Sequence, residues 1–168
     1  MTKHIISGAL IALLLSTSLG CNKKTVAGVA GATAHQAAAG ESRDEAKRYE
    51  ALAAGKEDDG DRAAEARAWL DPKNTQNVLW KISRAQTMQF VDELYEAGAK
   101  KVYAIYSPKD KTIQVNLCAI LLIELPTDSE ARKKVYKAFN KIDKRIWGPD
   151  HEPEKDNGRK FLELNMDP

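Results

Sequence analysis

From Asn77 to the end of the chain, hydrophobic positions recur with two alternating periods. NVLWKI sets Val78, Trp80 and Ile82 on one side and Leu79 and Lys81 on the other, the period-2 pattern of a half-buried strand. Ser83 and Gln86 then form a capping box, and Thr87, Phe90, Val91 and Leu94 recur at helical spacing until Gly98. KKVYAIY reads as a strand and SPKDK as a turn, with Pro108 and Asp110 in turn-favouring roles. TIQVNL alternates strictly and runs into CAILLIEL, which is apolar on both sides and so suits the middle of a sheet. Thr127 and Glu130 mark a second helix whose Ala131, Val135, Ala138, Ile142 and Ile146 share a face, and Trp147-Gly148-Pro149 stops it. Asn157-Gly158 then turns the chain into RKFLELNM, where Leu162, Leu164 and Met166 alternate as a last strand.

The element order over residues 75–168 is βαββαβ. It resembles the split motif of ferredoxin-like folds and predicts an α+β sandwich, with an antiparallel sheet and two helices on one face. The first and third strands would be central. With Val78, Trp80, Ile82, Leu162, Leu164 and Met166 turned to the helices, Leu79, Lys81, Phe161, Glu163 and Asn165 point the other way. The second strand adds either Tyr103 and Ile105 or Tyr106, its register being open. Lys81, Tyr103, Phe161 and Glu163 are therefore candidate contacts for a partner, either an envelope protein or a second copy of the chain. The alternative is a partly solvated face shielded by the preceding helices. RNA-binding domains of this class stack bases at such positions, but their aromatic-and-glycine signature is absent.

Upstream, residues 21–74 read as a linker. TVAGVAGATAHQAAAG is low in complexity and has no large side chain to anchor a core. Ser42 and Glu45 cap a short helix, RDEAKRYEALAA, whose stripe of Ala46, Tyr49, Leu52 and Ala53 is thin. KEDDGD is a charged turn, with carboxylate spacing unlike a calcium loop. DRAAEARAWL predicts a second short helix, with Trp69 and Leu70 docking on the domain that follows.

The first residues have a different character. Lys3 and His4 precede the apolar run Ile5–Leu15, and small or apolar residues lead from there to Cys21, the three-part layout of a secretory signal over residues 1–20. The run is shorter than the roughly 20 residues a membrane span needs. Thr17-Ser18-Leu19-Gly20-Cys21 resembles the lipobox of bacterial lipoproteins, with Ser18 where that pattern most often has leucine. The resemblance covers this segment alone. It implies cleavage before Cys21, a lipid on its sulfur, and a place in the cell envelope; Asn22, where an inner-membrane retention signal has aspartate, favours the outer membrane. The alternative is ordinary cleavage at the same place, leaving Cys21 a free thiol in a secreted protein.

Composition narrows the function. The 26 basic and 24 acidic residues nearly cancel, and loss of Lys3 with the leader brings the balance closer to neutral, which points away from nucleic acid. With Cys21 as anchor only Cys118 remains, and its apolar surroundings predict a buried core residue. Lys133, Lys137, Lys141 and Lys144 form a basic surface on the second helix, suited to anionic headgroups or acidic polymers, or simply the wet side of an amphipathic helix. Catalytic signatures are missing. His151 stands alone in PDHEPEKD, and there is no phosphate loop or nucleophile elbow. The expectation is a non-catalytic binding module without metal or cofactor. A small hydrolase-like enzyme and a small-molecule sensor are the alternatives.

Overall fold

A computed structural model describes residues 43–108 and 114–167. The leader, Cys21, Ser42 and the Ala-rich run lie outside the described residues. The first element is helix α1 (Arg43–Ala53), which buries Tyr49 and Leu52. Strand β1 (Arg62–Glu65) and the short helix α2 (Ala66–Trp69) follow, then strand β2 (Asn77–Leu79) and helix α3 (Arg84–Glu96). Strands β3 (Lys101–Ser107) and β4 (Asn116–Glu124), helix α4 (Ser129–Trp147) and strand β5 (Phe161–Asn165) complete the set.

Helices α3 and α4 form where the spacing predicts them. Ser83 caps α3, its hydroxyl accepting from the Gln86 N–H at 3.3 Å, and Thr87, Phe90, Val91 and Leu94 are its buried stripe. Asp128, rather than Thr127, caps α4 by accepting from the Ala131 N–H at 2.8 Å. A carboxylate next to the first free N–H groups satisfies them as a threonine would and adds a favourable charge at the positive end of the helix dipole. Gly148, at φ 104°, ends α4 with a backbone that side-chained residues rarely adopt.

The five strands make one mainly antiparallel sheet in the order β1-β3-β4-β2, with β5 also on β4. β4 is central, as its two-sided apolarity predicts. β2 and β5 share its far edge end to end: β2 runs parallel along Asn116–Cys118, and β5 runs antiparallel along Ile120–Glu124. In the ferredoxin-like arrangement the first strand is central and the last one borders it. Here β2 is only three residues long and ends by Cys118, so β5 bonds directly to the stretch of β4 left free.

Two further differences come from upstream. DRAAEARAWL is not one helix: Arg62–Glu65 pair with Tyr106–Tyr103 as an edge strand, and only Ala66–Trp69 coil. Alanine favours helix by a few tenths of a kcal/mol per residue, and the open backbone edge of β3 outweighs that. The segment read as a spacer therefore contributes α1, β1 and α2 to the fold. Hydrophobic residues occupy both sides of the sheet. The larger core holds Phe90, Leu94, Leu121, Ile123, Phe139, Leu162 and their neighbours beneath α3 and α4. A smaller one joins Tyr49 and Leu52 of α1 to Tyr103, Ile105, Leu122 and Phe161 on the opposite face.

Candidate functional site

The face turned away from α3 and α4 has a covered half and a bare half. Over the covered half, Tyr49 meets Phe161 edge-on with ring centres 6.1 Å apart. Its hydroxyl sits between the carboxylates of Glu45, at 3.0 Å, and Glu163. Burial, and then the two carboxylates, push the Tyr49 phenol far above its ordinary range. Arg48 reaches past the end of the helix to Asp58 and Asp61, each at 3.0 Å, so the KEDDGD carboxylates serve as a latch for α1. Asp61 also accepts from the Ser107 hydroxyl at 2.8 Å, which ties that latch to β3.

Four residues expected to meet a partner are thus distributed as follows. Tyr103 and Phe161 do point away from α3 and α4, and β3 presents Tyr103 and Ile105, not Tyr106, on that side. Both aromatic rings are buried under α1, Phe161 almost completely. Glu163 is half-buried against Tyr49. Lys81 lies apart from them, exposed at the end of β2, with its ammonium 2.8 Å from Asp167. The shielding helix is the alternative weighed from the sequence.

The bare half is where β2 departs from expectation. Leu79 and Ile82 pack on the main core, whereas Val78 and Trp80 are each 40% exposed, the reverse of the predicted facing for those two. Register explains it. Leu79 pairs with buried Cys118 and Val78 with Leu117, so Leu79 shares the inner face with the cysteine. Lys81, at φ 57°, then resets the alternation and returns Ile82 to the inside. Val78, Leu79, Trp80, Lys81, Val115 and Leu117 line a shallow groove of about 380 Å³. The indole N–H of Trp80 donates to Asp167 at 2.5 Å.

The outer border of this groove is fastened. Arg84 donates from one guanidinium to four carbonyl oxygens: Leu70 at 3.1 Å, Asp71 at 2.7 Å, Asn74 at 3.1 Å and Asn77 at 2.6 Å. The Asn77 N–H is taken by the Asn74 carbonyl at 3.0 Å, and its side chain joins Asn116 at 2.7 Å. The exposure of Val78 and Trp80 was not visible in the alternation, which tells which residues share a face but not which face is inside.

Elsewhere the basic stripe divides between paired and solvent-exposed lysines. Lys133 pairs with Glu130 at 2.6 Å, while Lys141 and Arg145 converge on Glu93 at 3.7 and 2.6 Å. Arg145, by hydrogen bond, holds the Glu93 carboxyl below its usual range. Lys137 and Lys144 extend from the same helix into solvent. Cys118 is fully buried in the main core, and that burial pushes its thiol up to about 12. His151 approaches buried Asp143 at 2.9 Å and stacks on Trp147, with ring centres 6.0 Å apart, which ties the loop after α4 back to that helix. Desolvation raises the Asp143 carboxyl. Among the described residues no three His, Cys, Asp or Glu side chains gather as a metal site, and no helix is long and apolar enough to cross a membrane.

The class these observations define is a mixed α+β domain with helices on both faces of a five-stranded sheet. Comparison with known proteins finds no family model that matches the chain, and no curated protein or solved structure that matches it.

Proposed function

We propose that this chain is a lipid-anchored cell-envelope protein whose folded domain is a non-catalytic binding module. The anchor reading rests on the layout from Lys3 to Cys21, and Asn22 favours the outer membrane where the organism has one. The observation that carries the module reading is the groove at Val78, Trp80 and Leu117, an apolar surface that no helix among the described residues covers, beside a half of the same face that α1 seals. The ferredoxin-like reading belongs here too. It is supported by the βαββαβ order from Asn77 to Asn165 and the parallel pairing of β2 with β4.

The test is the intact mass of the amino-terminal peptide from membrane-fraction protein. The expected species begins at Cys21 and carries acyl chains; an unmodified Cys21 or a retained Met1 overturns the anchor. A hydrolase-like reading draws on one observation, the half-exposed His151 held by buried Asp143. A hydrolysis signal in a substrate panel that disappears in His151→Ala would replace the binding module with an enzyme.

A further inference from the structure

We infer that the Val78–Trp80–Leu117 groove is the surface through which the folded domain rests on a phospholipid bilayer, with Trp80 and its aliphatic neighbours entering the interface between headgroups and acyl chains. The inference deepens the function proposed above and rests on its anchor reading.

The chemistry of the patch is the first argument. Val78 and Trp80 stand together on one strand, with Val115 and Leu117 beside them. Among the described residues that line it the one cation is Lys81, which is engaged with Asp167, and the same carboxylate takes the Trp80 indole N–H. Among the described residues the result is an apolar surface whose one cation is paired, with a tryptophan whose ring is apolar and whose N–H lies at the wet rim. That is the side-chain chemistry found where proteins meet the bilayer interface.

The second argument concerns what the border refuses. An extended peptide joining the sheet beyond β2 would need free backbone groups, and the Asn77 N–H and carbonyl are occupied by Asn74 and Arg84. At Asn77, therefore, the border presents no free backbone to a joining strand.

The third argument is the tether. Described structure begins at Arg43, and the number of residues from Cys21 sets an upper limit of about 75 Å on the reach of the tether. The first turns of α1 lie over Glu163, on the sheet face that also carries Val78 and Leu117. A chain anchored at Cys21 therefore enters the domain on the groove's own side. Tethering of this length raises the local concentration of bilayer to the millimolar range, so a small apolar contact is enough to hold the domain down. The cationic side of α4 belongs to a helix on the other face of the sheet and would turn the domain over if it led.

The experiment reconstitutes the full chain, purified from membranes, into phosphatidylethanolamine–phosphatidylglycerol vesicles whose acyl chains are brominated near the headgroup. Quenching of tryptophan emission is then compared with that of Trp80→Phe and Trp147→Phe. The expected result is a quenched fraction that falls at least about threefold in Trp80→Phe, is unchanged in Trp147→Phe, and survives ~1 M salt, where charge attractions are screened beyond about 3 Å. Equal quenching in the parent and Trp80→Phe overturns the inference, as does quenching that salt abolishes or that follows Trp147. Concentration-dependent shielding of Trp80 without quenching also overturns it and assigns the groove to a second copy. The two readings fail separately: an acylated chain with no Trp80-dependent quenching sinks the bilayer contact alone, and a chain lacking acyl groups but quenched at Trp80 sinks the anchor alone.

Discussion

One face of one sheet carries two apolar surfaces with opposite fates. Under α1, Tyr103, Ile105, Leu122 and Phe161 are closed off by Tyr49 and Leu52. A few residues along the same face, Val78, Leu117 and Trp80 have no helix above them among the described residues. Residue type does not separate the halves, since both combine an aromatic ring with aliphatics. What separates them is that the segment before β1 carries a two-residue apolar stripe together with polar ties, Arg48 to Asp58 and Asp61 and Tyr49 to Glu163, that aim it at one half. Apolar area alone is non-directional, and the polar contacts decide where the cover sits.

The contrast is most directly broken by truncating one aromatic in each half. Phe161→Ala removes a fully buried ring and should lower unfolding free energy by about 3–4 kcal/mol. Trp80→Ala, in the bare half, should cost no more than about 1 kcal/mol, because much of that ring is already hydrated. Urea denaturation with unchanged m-values measures both, and equal costs would mean that the halves are not differently covered.

Next in size is the fastening of the bare half. Arg84→Ala withdraws a charged donor from four carbonyls and should destabilise by about 2 kcal/mol. Amide exchange should rise selectively over residues 70–80. A uniform rise across the sheet would show that the border is not a separate fastening.

A smaller effect, with a pH signature, belongs to the cover. Tyr49→Phe removes the hydroxyl shared by Glu45 and Glu163 and should cost about 1 kcal/mol at neutral pH. In the parent, the folded phenol titrates above the unfolded one, so both are protonated below about pH 10 and the full stability is present there. As pH rises above 10 only the unfolded state releases its proton, and stability falls. Tyr95, pushed up to about 12 by burial and by its bond to Glu65, contributes a parallel loss and should remain in the variant. The expected outcome is a shallower alkaline decline in Tyr49→Phe; an unchanged slope would show that the phenol does not help to hold α1 against Glu163.

Smallest of all is Lys137→Ala, on the exposed side of α4, expected within about 0.5 kcal/mol of the parent in thermal melts. A larger loss would give the basic stripe a structural part that its solvent exposure does not suggest.

The local pattern carried the helices well. Thr87, Phe90, Val91 and Leu94 on α3, and Val135 and Ile142 on α4, are buried as their spacing implies, because a helix with one apolar stripe has only one way to face a core. β4 was readable as central for a similar reason, since a strand apolar on both sides needs cover on both. Leu162, Leu164 and Met166 likewise turn to the helices. The site was less readable. Alternation puts Phe161 on the face away from the helices and leaves Tyr103 undecided; both lie on that face with α1 closed over them, whereas Val78 and Trp80, which alternation turns to the core, are exposed.

The sequence by itself determined the elements whose environment is written in their own period: α3, α4, the central β4 and the alternation of β5. Tertiary structure alone decided the rest. It made a strand of Arg62–Glu65, whose alanines favour helix, because β3 presented an unpaired edge. It set β5 against β4 because β2 stops at Leu79. It turned Val78 and Trp80 outward through the pairing of Leu79 with Cys118 and the left-handed backbone at Lys81. The physical reason common to all three is that strand pairing is set by a partner distant in sequence; for Val78 and Trp80 in particular, period-2 alternation is symmetric between the two faces of a strand, and only such a partner breaks that symmetry.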